Sequence, residues 1–172
     1  MNEGYVQVYT GHGKGKTTAA LGLAMRAAGA GYKVFIAQFV KGMDYSELHS
    51  FAALEDRITL RQYGRNCFIR HAPELDDVRL AQRGLREAAE ALVSCDYRVV
   101  ILDEANIATS YLLFSVEELL DLINTKPTHV ELVITGRDAD ARIIERADLV
   151  TEMREVKHYY RQGISARVGI EY

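Results

Sequence analysis

The chain has few cysteines, no long apolar run and no marked charge of either sign, and each shortage narrows what it does. Cys67 and Cys95 are the only two cysteines in 172 residues, and they lie far apart. Two thiols cannot build a four-cysteine zinc site, and they give no sign of a disulfide framework. No apolar stretch reaches the roughly 18 residues that a membrane helix needs. The N-terminus lacks the basic start and apolar stretch of a secretory leader. A formal net charge of −3 points away from a general nucleic-acid binder. The expectation is a cytoplasmic protein, without membrane or nucleic-acid partners, folded as one domain over 1–172.

What is present is a strand, a glycine-rich loop and an alanine-rich helix in succession, YVQVYT-GHGKGKTT-AALGLAMRAAG from Tyr5 to Gly29. Gly11, Gly13 and Gly15 fall at every second position, with His12 and Lys14 between them, and Lys16, Thr17 and Thr18 follow. Glycines let consecutive backbone N–H groups converge on an anion. A helix beginning near Thr17 adds the positive end of its dipole. Lys16 supplies a mobile charge and Thr17 a hydroxyl for Mg²⁺, so the segment reads as a nucleoside triphosphate cradle. Thr10 stands where the first glycine of G-x-x-x-x-G-K-[ST] belongs, and a glycine follows at position 11. His12 is read as a loop-shaping residue that faces the ligand.

Strands and helices alternate along the rest. Extended segments are expected at Lys33–Phe39, Ile58–Tyr63, Val99–Leu102, Val130–Thr135 and Leu149–Met153. Helices are expected at Ser46–Leu54, Glu74–Val93 (with Leu75, Val78, Leu85, Ala89 and Leu92 on one face), after Ser115 and at Asp140–Arg146. Ser115 and Glu118 have capping-box spacing. The fold class is therefore α/β, one doubly wound and mostly parallel sheet. Ligands of such sheets gather at the carboxyl ends of the strands. The loop after Thr10, Gln38, Lys41, Asp103-Glu104 and Gly136-Arg137 all fall there.

VVIL followed by Asp103 and Glu104 suits the second metal-binding element of a phosphate-loop protein, reaching the ion held by Thr17. It also suits an acidic helix N-terminus. The spacing does not say which acid touches the ion.

With the loop, QFVKG at 38–42, YGRNCFIR at 63–70, ILDEAN at 101–106, ITGRDA at 134–139 and VKHYYRQGISARVGIEY at 156–172, the chain resembles the ATP:corrinoid adenosyltransferases of the BtuR/CobO/CobA type. The resemblance runs through the whole chain in order. It implies a P-loop NTPase (RecA-like) fold, a homodimer and transfer of the 5′-deoxyadenosyl group of ATP to cob(I)alamin or a precursor corrinoid, with release of triphosphate. It also implies Mg²⁺, with Mn²⁺ as an alternative, and a reducing partner such as a flavodoxin.

On that chemistry Lys16, Glu104 and Arg137 are the catalytic candidates, and Glu104 is the favoured direct ligand beside Thr17 and Asp103. Arg26 matches an arginine of the family's ATP site and also reads as an ordinary helix arginine. Arg137 matches the TGR motif as a second phosphate clamp, or else forms a structural ion pair. Phe68, with Tyr63 nearby, matches the aromatic segment that excludes cobalt's lower axial ligand; a core phenylalanine is the other reading. The chain departs from relatives in having no tryptophan, in Asn66 where glycine is expected and in Tyr159 where proline is common. It begins almost at the first strand, so the N-terminal extension of some members is expected to be absent. Without the family, the tail reads as a final strand and a surface arm; with it, as a segment near the nucleotide or the partner subunit. A small NTPase or nucleoside kinase, and a nucleotide-dependent switch, share the loop and acids. Free triphosphate as product separates adenosyl transfer from both.

Overall fold

Six apolar runs form the strands of a single sheet: β1 (Val6–Thr10), β2 (Val34–Phe39), β3 (Ile58–Tyr63), β4 (Val99–Asp103), β5 (Glu131–Thr135) and β6 (Leu149–Glu152). The computed structural model describes residues 3–66 and 72–172. The strand order is β3-β2-β4-β5-β1-β6, and all five pairings are parallel. Every residue of β2, β4 and β5 is buried, as expected for strands covered on both faces. β6, at the edge, is exposed throughout.

Helices cover both faces of the sheet, each over its own apolar core. On α1 (Lys16–Gly29) the alanines Ala20, Ala24 and Ala27 pack with Ile36, Ile101 and Val133 of the sheet. Phe51 of α2 (Ser46–Ala52) joins them. The opposite face carries α3 (Leu75–Val93), α4 (Ala105–Ser110), α5 (Val116–Asn124) and α6 (Ala141–Arg146) over a core that includes Phe39, Leu92, Phe114 and Ile134. The Ser115 capping box forms as its spacing predicts, with N–H to side-chain bonds of 3.1 and 2.7 Å.

The inward face of α3 differs from the one expected. Leu75 is 64% exposed, and the buried residues are Asp77, Ala81, Gly84, Leu85, Ala88, Ala91 and Leu92. A buried acid replaces an apolar residue because Asp77 caps the helix and accepts two bonds from Arg65, at 2.7 and 2.9 Å. Gly84 leaves room for the Tyr63 ring, since a Cβ there would lie 2.5 Å from its Cγ.

Each interior strand is followed at once by a residue of positive φ: Gly11 (93°) after β1, Val40 (60°) after β2, Glu104 (60°) after β4 and Gly136 (132°) after β5. Four chains thus leave the sheet abruptly at the same edge. For the two non-glycine residues this costs roughly 1–2 kcal/mol each, strain of the kind found where a site fixes the backbone. After β6 the expected final strand does not form. Residues 153–172 are irregular apart from a 3₁₀ turn at Tyr159–Gln162, and they run back over the same edge.

Candidate functional site

The loop between β1 and α1 rests on the end of β6. The Met153 N–H donates to the Thr10 carbonyl at 2.9 Å, and the Gly13 N–H donates to the Met153 carbonyl at 2.6 Å. A Cβ on Gly11 or Gly13 would stand 2.5 or 2.7 Å from that carbonyl oxygen, so close backbone approach requires both glycines. Gly15, at φ 117°, turns the chain into α1. Lys16 folds back beneath the loop and donates to the carbonyls of Gly11 and Gly13 at 2.7 and 2.8 Å. It is only 6% exposed. Burial lowers its pKa; the Glu104 and Asp103 charges oppose this and Arg137 adds to it. Neutral carbonyls solvate an ammonium less well than an anion does, so this cation is set to receive phosphate.

The two acids have different surroundings. Asp103 is fully buried. Its Oδ1 accepts from the hydroxyls of Thr17 (2.9 Å) and Thr135 (2.8 Å), and its Oδ2 from Lys41 (2.8 Å) and Gln38 (3.2 Å). Those four bonds use a carboxylate's acceptor capacity. Glu104 donates its backbone N–H to Thr135 at 2.9 Å, while its side chain lines the cavity with no hydrogen-bond partner among the described residues. Burial raises its pKa and the Asp103 charge adds to this, against Lys41, Lys16 and Arg137. Burial also acts to lower the Lys41 pKa, but its ion pair with Asp103 outweighs that and leaves it raised.

Lys16, Thr17, Lys41, Glu104 and Arg137 meet in one cavity of about 650 Å³, within the range of small-molecule sites. Lys14, Gly13, Gly15 and Thr18 also line it, as do residues 169–172 of the tail. A second cavity of about 580 Å³ shares Arg137 and His158 with it.

Other candidates lie elsewhere. Gly11 supports the loop from below and is buried. His12 is exposed and stands 3.4 Å from Asp138, outside the lining. Arg26 is exposed in the last turn of α1, about 15 Å along the helix from Lys16 at 1.5 Å per residue. Tyr63 is a core residue. Its ring packs on Phe39, its hydroxyl donates to Glu87 at 2.7 Å, and it is 3% exposed. Phe68 lies outside the described residues.

A family model, that of the ATP:corrinoid adenosyltransferases BtuR/CobO/CobP, matches residues 2–172. The chain belongs to this family. It is 35% identical to the corrinoid adenosyltransferase of Pseudomonas aeruginosa, over 98% of this chain and 84% of that one. It is also 35% identical to the corrinoid adenosyltransferase CobA of Salmonella typhimurium, over 98% of this chain and 86% of that protein. A KaiC-like protein of Pyrococcus horikoshii has the same fold, with a TM-score of 0.59 at 17% identity over 90% of this chain and 74% of its own.

One residue of this adenosyltransferase-family site, Lys41, has no role in the sequence reading. Lys41 had been noted only as lying on the ligand edge, whereas it pairs with Asp103, lies 3.7 Å from Glu47 and sits over the Tyr45 ring. The signal was a lysine just past an interior strand. The tail's last four residues line the cavity; their local pattern reads only as a strand and surface arm, whereas the family resemblance implies a place near the nucleotide or the partner subunit. Among the described residues no group of three or more His, Cys, Asp or Glu is gathered to hold an ion. The Thr17 hydroxyl and the free Glu104 carboxylate still fit Mg²⁺, a hard ion that uses one or two protein oxygens and takes the rest from phosphates and water.

Proposed function

We propose that the protein transfers the 5′-deoxyadenosyl group of ATP to the cobalt(I) of cobalamin or a precursor corrinoid, releasing triphosphate, in adenosylcobalamin biosynthesis. The observation that carries this beyond family membership is the convergence of Lys16, Lys41, Arg137 and the α1 N-terminus on one cavity. The cobalt(I) lone pair attacks C5′, the C5′–O5′ bond breaks, and triphosphate departs with the bonding electrons. Cobalt(I) is a strong nucleophile, so the protein's task is alignment and stabilisation of the departing charge.

In this reading Lys16 exchanges its two loop carbonyls for phosphate oxygens, and Arg137 clamps the same group from the turn after β5. Mg²⁺, or Mn²⁺ in its place, would be held by Thr17 and Glu104 and supplies further positive charge to the leaving group when bound. Asp103 orients the Thr17 hydroxyl. Phe68 is assigned to the corrinoid face on the family pattern. A homodimer and a reducing partner such as a flavodoxin complete the reading. The exposed edge strand β6, with Leu149 and Val150 outward, is compatible with pairing of two copies. No helix among the described residues is long and apolar enough to cross a membrane, in keeping with a cytoplasmic site of action.

The test is an anaerobic assay with chemically reduced cobalamin, ATP and Mg²⁺. The corrin absorbance should change as the cobalt–carbon bond forms, with one free triphosphate per turnover. ADP and phosphate with an unchanged corrin spectrum would overturn the proposal.

A further inference from the structure

The last four residues of the chain form a wall of the cavity, and the Glu171 carboxylate makes most of the side-chain contacts that hold them. Gly169, Ile170, Glu171 and Tyr172 all line the cavity. Glu171 accepts from the Tyr159 hydroxyl, from the Arg167 N–H at 2.8 Å and guanidinium at 3.3 Å, and lies 3.1 Å from the Lys14 ammonium. Lys14 also donates to the Ile170 carbonyl at 2.7 Å. At the far end the Ser46 hydroxyl donates to the main-chain oxygen of Tyr172 at 3.0 Å. The segment therefore bridges the phosphate loop and α2 across the mouth of the cavity.

Little else holds it. Val168 is 72% and Ile170 55% exposed, so apolar burial contributes little to the docking, and segments of this kind open at low cost. The Arg167 and Tyr159 bonds hold the Glu171 carboxyl well below the usual carboxylate range, so its charge persists through the physiological range. The phosphate loop claims the triphosphate end of a nucleotide. The nucleoside end must then lie against the remaining lining, which is Leu21, Tyr45, Ser46, Glu47, Ser50, His158 and this segment.

We propose that residues 169–172 are the nucleoside-side wall of the cavity, and that Glu171, by holding both Lys14 and Arg167, is the positioning residue that keeps the wall in place. This rests on the adenosyltransferase reading only in taking ATP as the cavity's ligand. The wall sets affinity for the nucleoside part of ATP and leaves phosphate binding and chemistry to the loop.

The experiment compares wild type, Glu171→Gln and a chain ending at Val168 by calorimetric titration with ATP and with inorganic tripolyphosphate. Each variant should lose about tenfold in ATP affinity while tripolyphosphate affinity changes by less than about twofold. In the transfer assay KM for ATP should rise by a similar factor with kcat within about twofold, the pattern of lost uniform binding. Unchanged ATP affinity, or equal losses for ATP and tripolyphosphate, would overturn the wall, the latter because the tail would then act only through Lys14. Should a variant not fold, amide hydrogen exchange of residues 169–172 in the wild type decides. ATP should slow it about tenfold and tripolyphosphate hardly at all, and equal rates with and without ATP would refute the proposal. If wild type binds ATP and the wall results hold but no transfer occurs, the functional proposal fails and this one stands.

Discussion

The Thr17 hydroxyl donates to Oδ1 of Asp103 at 2.9 Å, tying the first turn of the helix after the phosphate loop to the end of a strand 86 residues later. Thr135 reaches the same oxygen and Lys41 the other. One buried carboxylate thereby joins β4, β5, α1 and the turn after β2. Asp103 is the keystone of the site, and its neighbour Glu104 is the acid left free to meet a ligand. This division assigns different consequences to substitutions one residue apart.

Asp103→Ala should destabilise the fold by up to about 3 kcal/mol, because it removes the closest ion-pair partner of Lys41 and the acceptor of the Thr17, Thr135 and Gln38 bonds, while Glu47 still faces Lys41 and Gln38. Glu104→Gln should leave the denaturation midpoint near that of wild type and raise the Mg²⁺ concentration needed for half-maximal activity. Chemical denaturation and metal titration of both variants check this. Equal stability of the two would remove the distinction.

Lys16→Ala should lower kcat by about 100-fold or more, since a positioned charge on the leaving group is removed. The protein should stay folded, because the lysine bonds only loop carbonyls. Near-normal turnover in a folded variant would count against the assigned role of the loop.

Glu87 gives a pH signature of the core. The Tyr63 hydroxyl, with Arg83 and Arg61, holds its carboxyl at about 2 against an ordinary 4.5. A depressed pKa means that the unfolded chain binds more protons in this window, so stability rises with pH. The contribution is present above about 4.5 and is lost as pH falls through about 2. Glu87→Gln should therefore be less stable than wild type at neutral pH, with the gap closing over that window. Denaturation midpoints taken across the acid range should converge, and a gap constant with pH would contradict the pairing.

Phe68→Ala separates reduction from transfer. With cobalt(I) supplied by a strong chemical reductant, the variant should retain much of its activity. With cobalt(II) and a weak protein reductant it should fail, because the lower axial ligand stays bound. ATP affinity should move little. Equal losses in both assays would make Phe68 a packing residue.

Much of the site was legible in the chain itself because its signals are local. A glycine at every second position, a lysine and two threonines at a helix start, and two acids closing an apolar run each carry their chemistry within a few residues. Tyr63 was misleading for a related reason. An aromatic residue next to a functional segment looks the same whether it faces a ligand or a core, and here Gly84, 21 residues on, opens the space that takes it inward.

The sequence by itself determined the parallel α/β architecture, because buried apolar strands alternating with amphipathic helices have few other ways to cover both faces of a sheet. It also determined the phosphate loop, whose backbone geometry follows from its glycines. Only the tertiary structure decided which acid is spent on the scaffold and which is free, since that depends on Lys41, Gln38 and Thr135 arriving from two other strand ends. It also decided which residues of the C-terminal tail, implied by the family resemblance to lie near the nucleotide or the partner subunit, line the cavity. Lys14 and Ile170 are 156 residues apart, and no local propensity brings them together; the parallel sheet does, by delivering every strand's carboxyl end to one edge.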